Sequence, residues 1–228
     1  MTSNTADGTV RSAEVTDRIR TAIVAGEFAP GQRLVEADLC ELFHASRGVV
    51  RAALMDLTHE GLVERIANRG ARVRSVSVEE AIAITEVRMA VEGLCAAKAA
   101  ERITDEEITE LRDIGRRMQD AMRAGEVLVY SELNGTLHDR IREISAQPVA
   151  ADVLSNLSAR NVRHQFRLAL RPGRPQISLP EHLAIIDELC ARSPEGAERA
   201  VRRHVASVIE ALREFDTAQA SPASGLVR

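Results

Sequence analysis

A chain of 228 residues, 45% of them hydrophobic, has room for two compact globular domains. Its net charge of −4 argues against binding polyanions with the whole surface, no apolar run is long enough to cross a bilayer, and no charged-then-apolar leader opens it, so a cytoplasmic protein is expected. With no Trp, one Tyr and four Phe, the chain lacks a stacking surface for single-stranded nucleic acid, and the scattered Cys40, Cys95 and Cys190 argue against a disulfide framework or a thiolate metal site.

Residues 1–9 are polar and are expected to be disordered. From there Val15, Ile19, Ala22 and Ile23 recur at helical spacing up to Gly26. A Pro-Gly turn follows, then a short helix from Ala37 to Phe43. Ser46 stands where an N-cap belongs, ahead of a third helix whose apolar face is Val50, Ala53, Leu54 and Leu57 and which Gly61 closes. Two strand-like runs, LVERI and ARVRSV, flank Ala67-Asn68-Arg69-Gly70 and predict a β-hairpin. Helix, turn, helix and hairpin in that order describe a winged helix-turn-helix over residues 10–76. Beyond Ser77 the pattern becomes long helices, predicted at Val78–Arg102, Thr104–Ala124, Glu126–Ser145, Val149–Arg171, Pro180–Arg192 and Glu195–Phe215. The expected architecture is mainly α: the winged domain, an antiparallel all-helical domain over 77–216, and a disordered tail over 217–228.

Positive charge is local. Between Leu42 and Arg74 six arginines face three acidic residues, whereas the segment before Leu42 leans acidic. Arginine pairs bidentately with the major-groove edge of guanine, so a DNA-reading helix needs arginines near its start, on the face away from the core. Arg47 and Arg51, four residues apart, satisfy this. Ser46 can cap the helix and donate to a phosphate, and Arg65, Arg69, Arg72 and Arg74 crowd the hairpin. The residues Pro30-Gly31-Gln32-Arg33-Leu34, the string Ser46-Arg47-x-x-Val50-Arg51-x-Ala53-Leu54, Glu60-Gly61-Leu62 and Arg69-Gly70-Ala71 together resemble the DNA-binding domain of the GntR family of bacterial transcription regulators. The resemblance implies that Ser46, Arg47, Gly48 and Arg51 meet operator DNA and that Arg69 and Gly70 bring the wing to the minor groove. Gly48 and Val49 depart from the small polar residue and the proline that the family commonly carries there.

In the helical part, Asn134 and His138 share one face of a helix, being four residues apart, while His182 and His204 stand 22 residues apart on consecutive helices that can present both imidazoles to one interior. His164, among Arg160, Arg163 and Arg167, reads as surface or pocket rim. Spacing alone leaves open whether the three histidines hold a metal. Glu86-Val87-Arg88-x-x-x-Glu92, Asn134-x-x-Leu137-His138, Glu181-His182-x-x-Ile185 and Arg203-His204 resemble the FCD domain of the FadR subfamily. That resemblance implies a divalent metal, zinc or nickel, on Asn134, His138, His182 and His204, and an effector whose carboxylate completes its coordination. Asn134 stands where the subfamily often has aspartate. Arg88 is the expected partner of an acidic effector, with an ion pair to Glu92 at i,i+4 as the competing role.

The expectation is therefore a regulator, a repressor working as a homodimer on a palindromic operator of double-stranded DNA and answering to a small carboxylate metabolite. A metal-dependent hydrolase using the three-histidine site is the alternative in another class, although the chain has no HExxH, GxSxG or phosphate-binding glycine loop.

Overall fold

The computed structural model describes residues 4–66, 70–169 and 171–220. The chain divides into two compact units: the first runs to Val76 and includes the short piece Ser158–Arg163, and the second takes up the chain from Ser77.

The first unit is built from helices α1 (Asn4–Ala25), α2 (Glu36–Phe43) and α3 (Arg47–His59) and strands β1 (Arg33–Leu34), β2 (Val63–Ile66) and β3 (Gly70–Val73). The strands are antiparallel in the order β1-β3-β2, with Leu34 opposite Ala71 and Val63 opposite Val73. Ile19, Leu39, Val50, Leu57 and Val63 form its core and are almost fully buried, which joins the helices to one face of the sheet. A bidentate ion pair ties α1 to α3: Arg20 Nε donates to Glu60 Oε2 at 2.8 Å and Nη2 to Glu60 Oε1 at 2.7 Å.

Two boundaries differ from those read in the sequence. Helix α1 begins at Asn4, so residues expected to be disordered lie within it; its C-terminal half is anchored by buried Val15 and Ile19, and a nucleated helix extends through a polar segment that lacks proline and has just one glycine. The hairpin gains a partner in β1, whose two residues are too few for alternation to register. Gly31 N–H donates to Val73 O and Val73 N–H to Gln32 O, both at 2.9 Å, and these bonds carry the pairing beyond the strand.

The second unit consists of helices α4 (Val78–Arg102), α5 (Asp105–Ala124), α6 (Val127–Ser145), α7 (Pro148–Ala169), α8 (Arg174–Cys190) and α9 (Pro194–Ala220). Its helix starts follow local chemistry. Ser77 caps α4 by accepting from Glu80 N–H, and Thr104 and Glu107 form a reciprocal capping box on α5. Gly125, at φ 74°, ends α5 in the left-handed region. Helix α8 begins at Arg174, well before Pro180, with Gly173 at φ 85° ahead of it and Pro175 in its first turn. Pro180 is thus inside the helix, where it forgoes one backbone hydrogen bond, and His182 lies in the helix body. Helix α9 extends to Ala220, so part of the tail expected to be disordered is helical; residues 221–228 lie outside the described ones.

Helix α9 packs on α4 and α8, and α6 packs on α4, α5 and α8, around a core that includes Leu111, Met118, Leu137, Ile185 and Leu189. Three of these helices bring histidines to one place.

Candidate functional site

In the first unit, burial of Val50, Ala53, Leu54 and Leu57 fixes which face of α3 turns outward. Ser46 Oγ accepts from Val49 N–H at 3.4 Å, as an N-cap does, and Arg47, Gly48 and Arg51 are exposed around that helix start. Arg51 Nε donates to Glu36 Oε2 at 2.8 Å, but the arginine side chain is 65% exposed, so this pair is weak and readily exchanged for a phosphate or a base edge. On the sheet, exposed Arg33 and Arg72 are cross-strand neighbours, and Arg72 pairs with Glu64 on β2. Gly70 adopts φ 89° with open space around it, so the left-handed backbone is what requires glycine there. Arg69, expected at the wing, lies outside the described residues.

In the second unit, His138 on α6, His182 on α8 and His204 on α9 offer ligand nitrogens that all lie within 4.8 Å of one another. Local packing puts them there. His182 precedes buried Ile185 and Ile186 on one helical face, His204 sits between Val201 and Val205, and His138 lies beside Leu137 and one turn before Ile141. Two of the imidazoles are held by Nδ1, and the third has a carboxylate near it. His182 Nδ1 and Tyr130 Oη are 2.9 Å apart, His204 Nδ1 and Glu181 Oε2 are 2.8 Å apart, and His138 Nδ1 lies 3.5 Å from Glu92 Oε2. Tyr130 Oη can accept from His182 Nδ1–H, and in that tautomer Nε2 of His182 carries the lone pair.

Electrostatics favours the neutral forms of His182 and His204. Burial lowers the proton affinity of His182 well below the ordinary histidine value, with the charges of His204, His138 and Arg174 acting in the same direction. Burial also lowers that of His204, against its hydrogen bond to Glu181. The carboxylates stay ionised: burial pushes Glu92 up, but Arg88 and His138 outweigh it and hold it far below the usual carboxylate range. Glu181 is likewise lowered against its burial, by His204, Ser207 and Arg174.

A divalent cation fits this donor set. His182 Nε2 and Asn134 Oδ1 are buried with no hydrogen-bond partner, an arrangement that costs free energy unless something accepts their lone pairs. Three imidazoles suit zinc or nickel, and a carboxylate acceptor at Nδ1, as His204 has in Glu181, is what a metal-binding histidine needs. Arg88, read as an effector contact or as the i,i+4 partner of Glu92, donates to Glu92 Oε1 from Nε at 2.9 Å and Nη2 at 2.6 Å. Sequence reading missed Glu92, Glu181, Tyr130 and Arg174 as parts of this site. Arg174 is 6% exposed, with Nη1 2.6 Å from Ser207 Oγ and Nη2 3.4 Å from Glu181 Oε2. Glu181-His182 and Arg203-His204 stood out as strings, but nothing local shows that a carboxylate on one helix serves the histidine of another.

The model for bacterial regulatory proteins of the gntR family matches residues 11–73, and the FCD domain model matches residues 83–207, more than half of the chain. The HTH-type transcriptional repressor RspR of Escherichia coli is 28% identical over 197 residues, covering 86% of each chain. Among solved structures, E. coli McbR/YncC superposes with a TM-score of 0.77 at 21% identity, over 90% of this chain and 98% of its own. A putative GntR transcriptional regulator from Rhodococcus superposes with a TM-score of 0.69 at 23% identity over the same shares. The gntR-family match over the helix-turn-helix unit and the FCD match over the helical bundle that carries the histidine cluster identify the chain as a member of the GntR family of bacterial regulatory proteins with an FCD domain.

Proposed function

We propose that this regulator is a repressor, as RspR is named, and that a small carboxylate metabolite bound in its FCD domain controls its hold on operator DNA. The observation that carries the reading is the buried cluster of His138, His182 and His204, with the lone pairs of His182 Nε2 and Asn134 Oδ1 left unpaired. A family of regulatory proteins gives no support to the hydrolase alternative, which is set aside.

In this proposal the protein is cytoplasmic; among the described residues no helix is long and apolar enough to cross a membrane. Arg47 and Arg51 reach base edges or adjacent phosphates from the start of α3, Ser46 and Gly48 let that helix start approach the backbone, and Arg69 with Gly70 places the wing in the minor groove. Two copies form a homodimer and meet the halves of a palindrome, so operator affinity depends on both DNA-binding units being placed together. Asn134, His138, His182 and His204 would hold the divalent cation, zinc or nickel. Such a cation supplies a Lewis-acid anchor for a carboxylate. Glu181 accepts from His204 Nδ1–H and so fixes that imidazole's tautomer, and Tyr130 holds the ring of His182 at Nδ1. Effector binding changes DNA affinity only to the extent that it favours one arrangement of the dimer over another, and the link from Arg74 to Val78 is where the two units join.

Elemental analysis of the purified full-length protein, beside a His138→Ala/His182→Ala variant, tests the sensing half. Close to one zinc or nickel per wild-type chain, none in the variant and a lower melting temperature after chelation are expected. Wild-type protein without metal, melting as the variant does, would remove the metal from the proposal.

A further inference from the structure

Two arginine–carboxylate–histidine chains converge on the cluster. In one, Arg174 Nη2 and His204 Nδ1 both address Glu181 Oε2. In the other, Arg88 and His138 address opposite oxygens of Glu92. The second chain differs from an ordinary structural ion pair. Arg20 and Glu60 use two nitrogens on two oxygens, the fork-on-fork geometry that gains most from the pair. Arg88 instead places both Nε and Nη2 on Oε1, leaving Oε2 buried, with no hydrogen bond, 3.5 Å from His138 Nδ1. Such an oxygen is costly in a position that serves packing alone.

The donor set has a matching deficit. Three imidazoles and the amide of Asn134 carry no charge, so a divalent cation there meets no negative ligand. Glu92 is a buried carboxylate in contact with one of those imidazoles, and its 6% exposure leaves its charge little screened by solvent. Resting on the metal reading above, we infer that Glu92 is a positioning residue for the cluster. Its free oxygen accepts from His138 Nδ1–H and turns Nε2 toward His182 and His204, and it directs the negative end of the Arg88–Glu92 pair to a site where Asn134 brings no charge.

The test is a competition titration of zinc against a chromophoric chelator, on full-length wild type, Glu92→Gln, Arg88→Gln/Glu92→Gln and Asn134→Asp/Glu92→Gln. Glu92→Gln should weaken zinc binding about 10- to 100-fold, the usual effect of removing the partner of a metal-bound imidazole. The Arg88→Gln/Glu92→Gln pair avoids a buried unpaired guanidinium and should show the same loss with a cooperative thermal transition. Returning a carboxylate at Asn134→Asp should restore most of the affinity, and the visible bands of bound cobalt(II) should move with Glu92→Gln. Equal zinc affinity in wild type and both Gln variants overturns the role of Glu92 and leaves the metal reading standing. A loss that Asn134→Asp does not repair overturns it too, because it marks a packing role. Wild type that binds no zinc overturns both.

Discussion

His182 is 1% exposed and lies near Arg174 and two other histidines, and its consequences reach stability as well as binding. In the folded chain its proton affinity is held below the ordinary value of 6.5, whereas the unfolded chain takes up the proton near that value. Below pH 6.5 the unfolded state therefore binds more protons, and stability falls as pH falls; above it both states are neutral and the effect vanishes. Metal-free protein should melt at progressively lower temperature from pH 7 to pH 5, a window above the ordinary carboxylate range. The drop should be smaller in His182→Gln, by differential scanning calorimetry at matched ionic strength. An unchanged pH slope in that variant would mean that His182 is not held neutral.

At the same scale lies the division between what sequence showed and what it hid. Asn134 and His138 share a face by helical arithmetic, and Ser46 before Arg47 is a cap by local chemistry, so both were legible. Glu92 beside His138 and Tyr130 beside His182 are contacts across dozens of residues, and such pairings depend on how helices dock. Arg88 shows the same limit from the other side: its pairing with Glu92 is local and was legible as one of two roles, but the choice between them rests on surroundings that spacing does not carry.

Among the elements, α3 depends most visibly on one residue. Ser46 Oγ satisfies one of the orphan N–H groups at its start, and replacement of such a cap by alanine costs about 0.5–2 kcal/mol. Ser46→Ala should lower the denaturant midpoint of the transition that reports the DNA-binding unit, with Asp at the same position retaining stability. A midpoint unchanged within error in Ser46→Ala would deny the cap its structural role. Periodicity found the existence and type of the long helices, and capping residues placed several of their starts. It failed where a stronger contact overrode a local signal. Pro180 read as a helix start, but Gly173 and Pro175 begin α8 earlier and packing of the helix tolerates the missing bond. Two-residue β1 carries no pattern of its own and is defined by the backbone of β3.

In the whole molecule a gntR-type DNA-binding unit is followed, across the short link from Arg74 to Val78, by an FCD unit. Family membership establishes the DNA-binding regulator, and in the proposed function its contacts with DNA are assigned to the arginines at the start of α3. The most direct measurement is a fluorescence anisotropy titration of labelled duplex from the region upstream of the protein's own coding sequence, against a shuffled duplex, at two salt concentrations. Wild type should prefer the upstream duplex. Arg47→Ala/Arg51→Ala should lose about 1–3 kcal/mol of that preference for each base contact removed. Each lost phosphate contact should flatten the salt dependence by about 0.9 in slope. A double variant that folds as wild type does and retains the full preference would contradict the account.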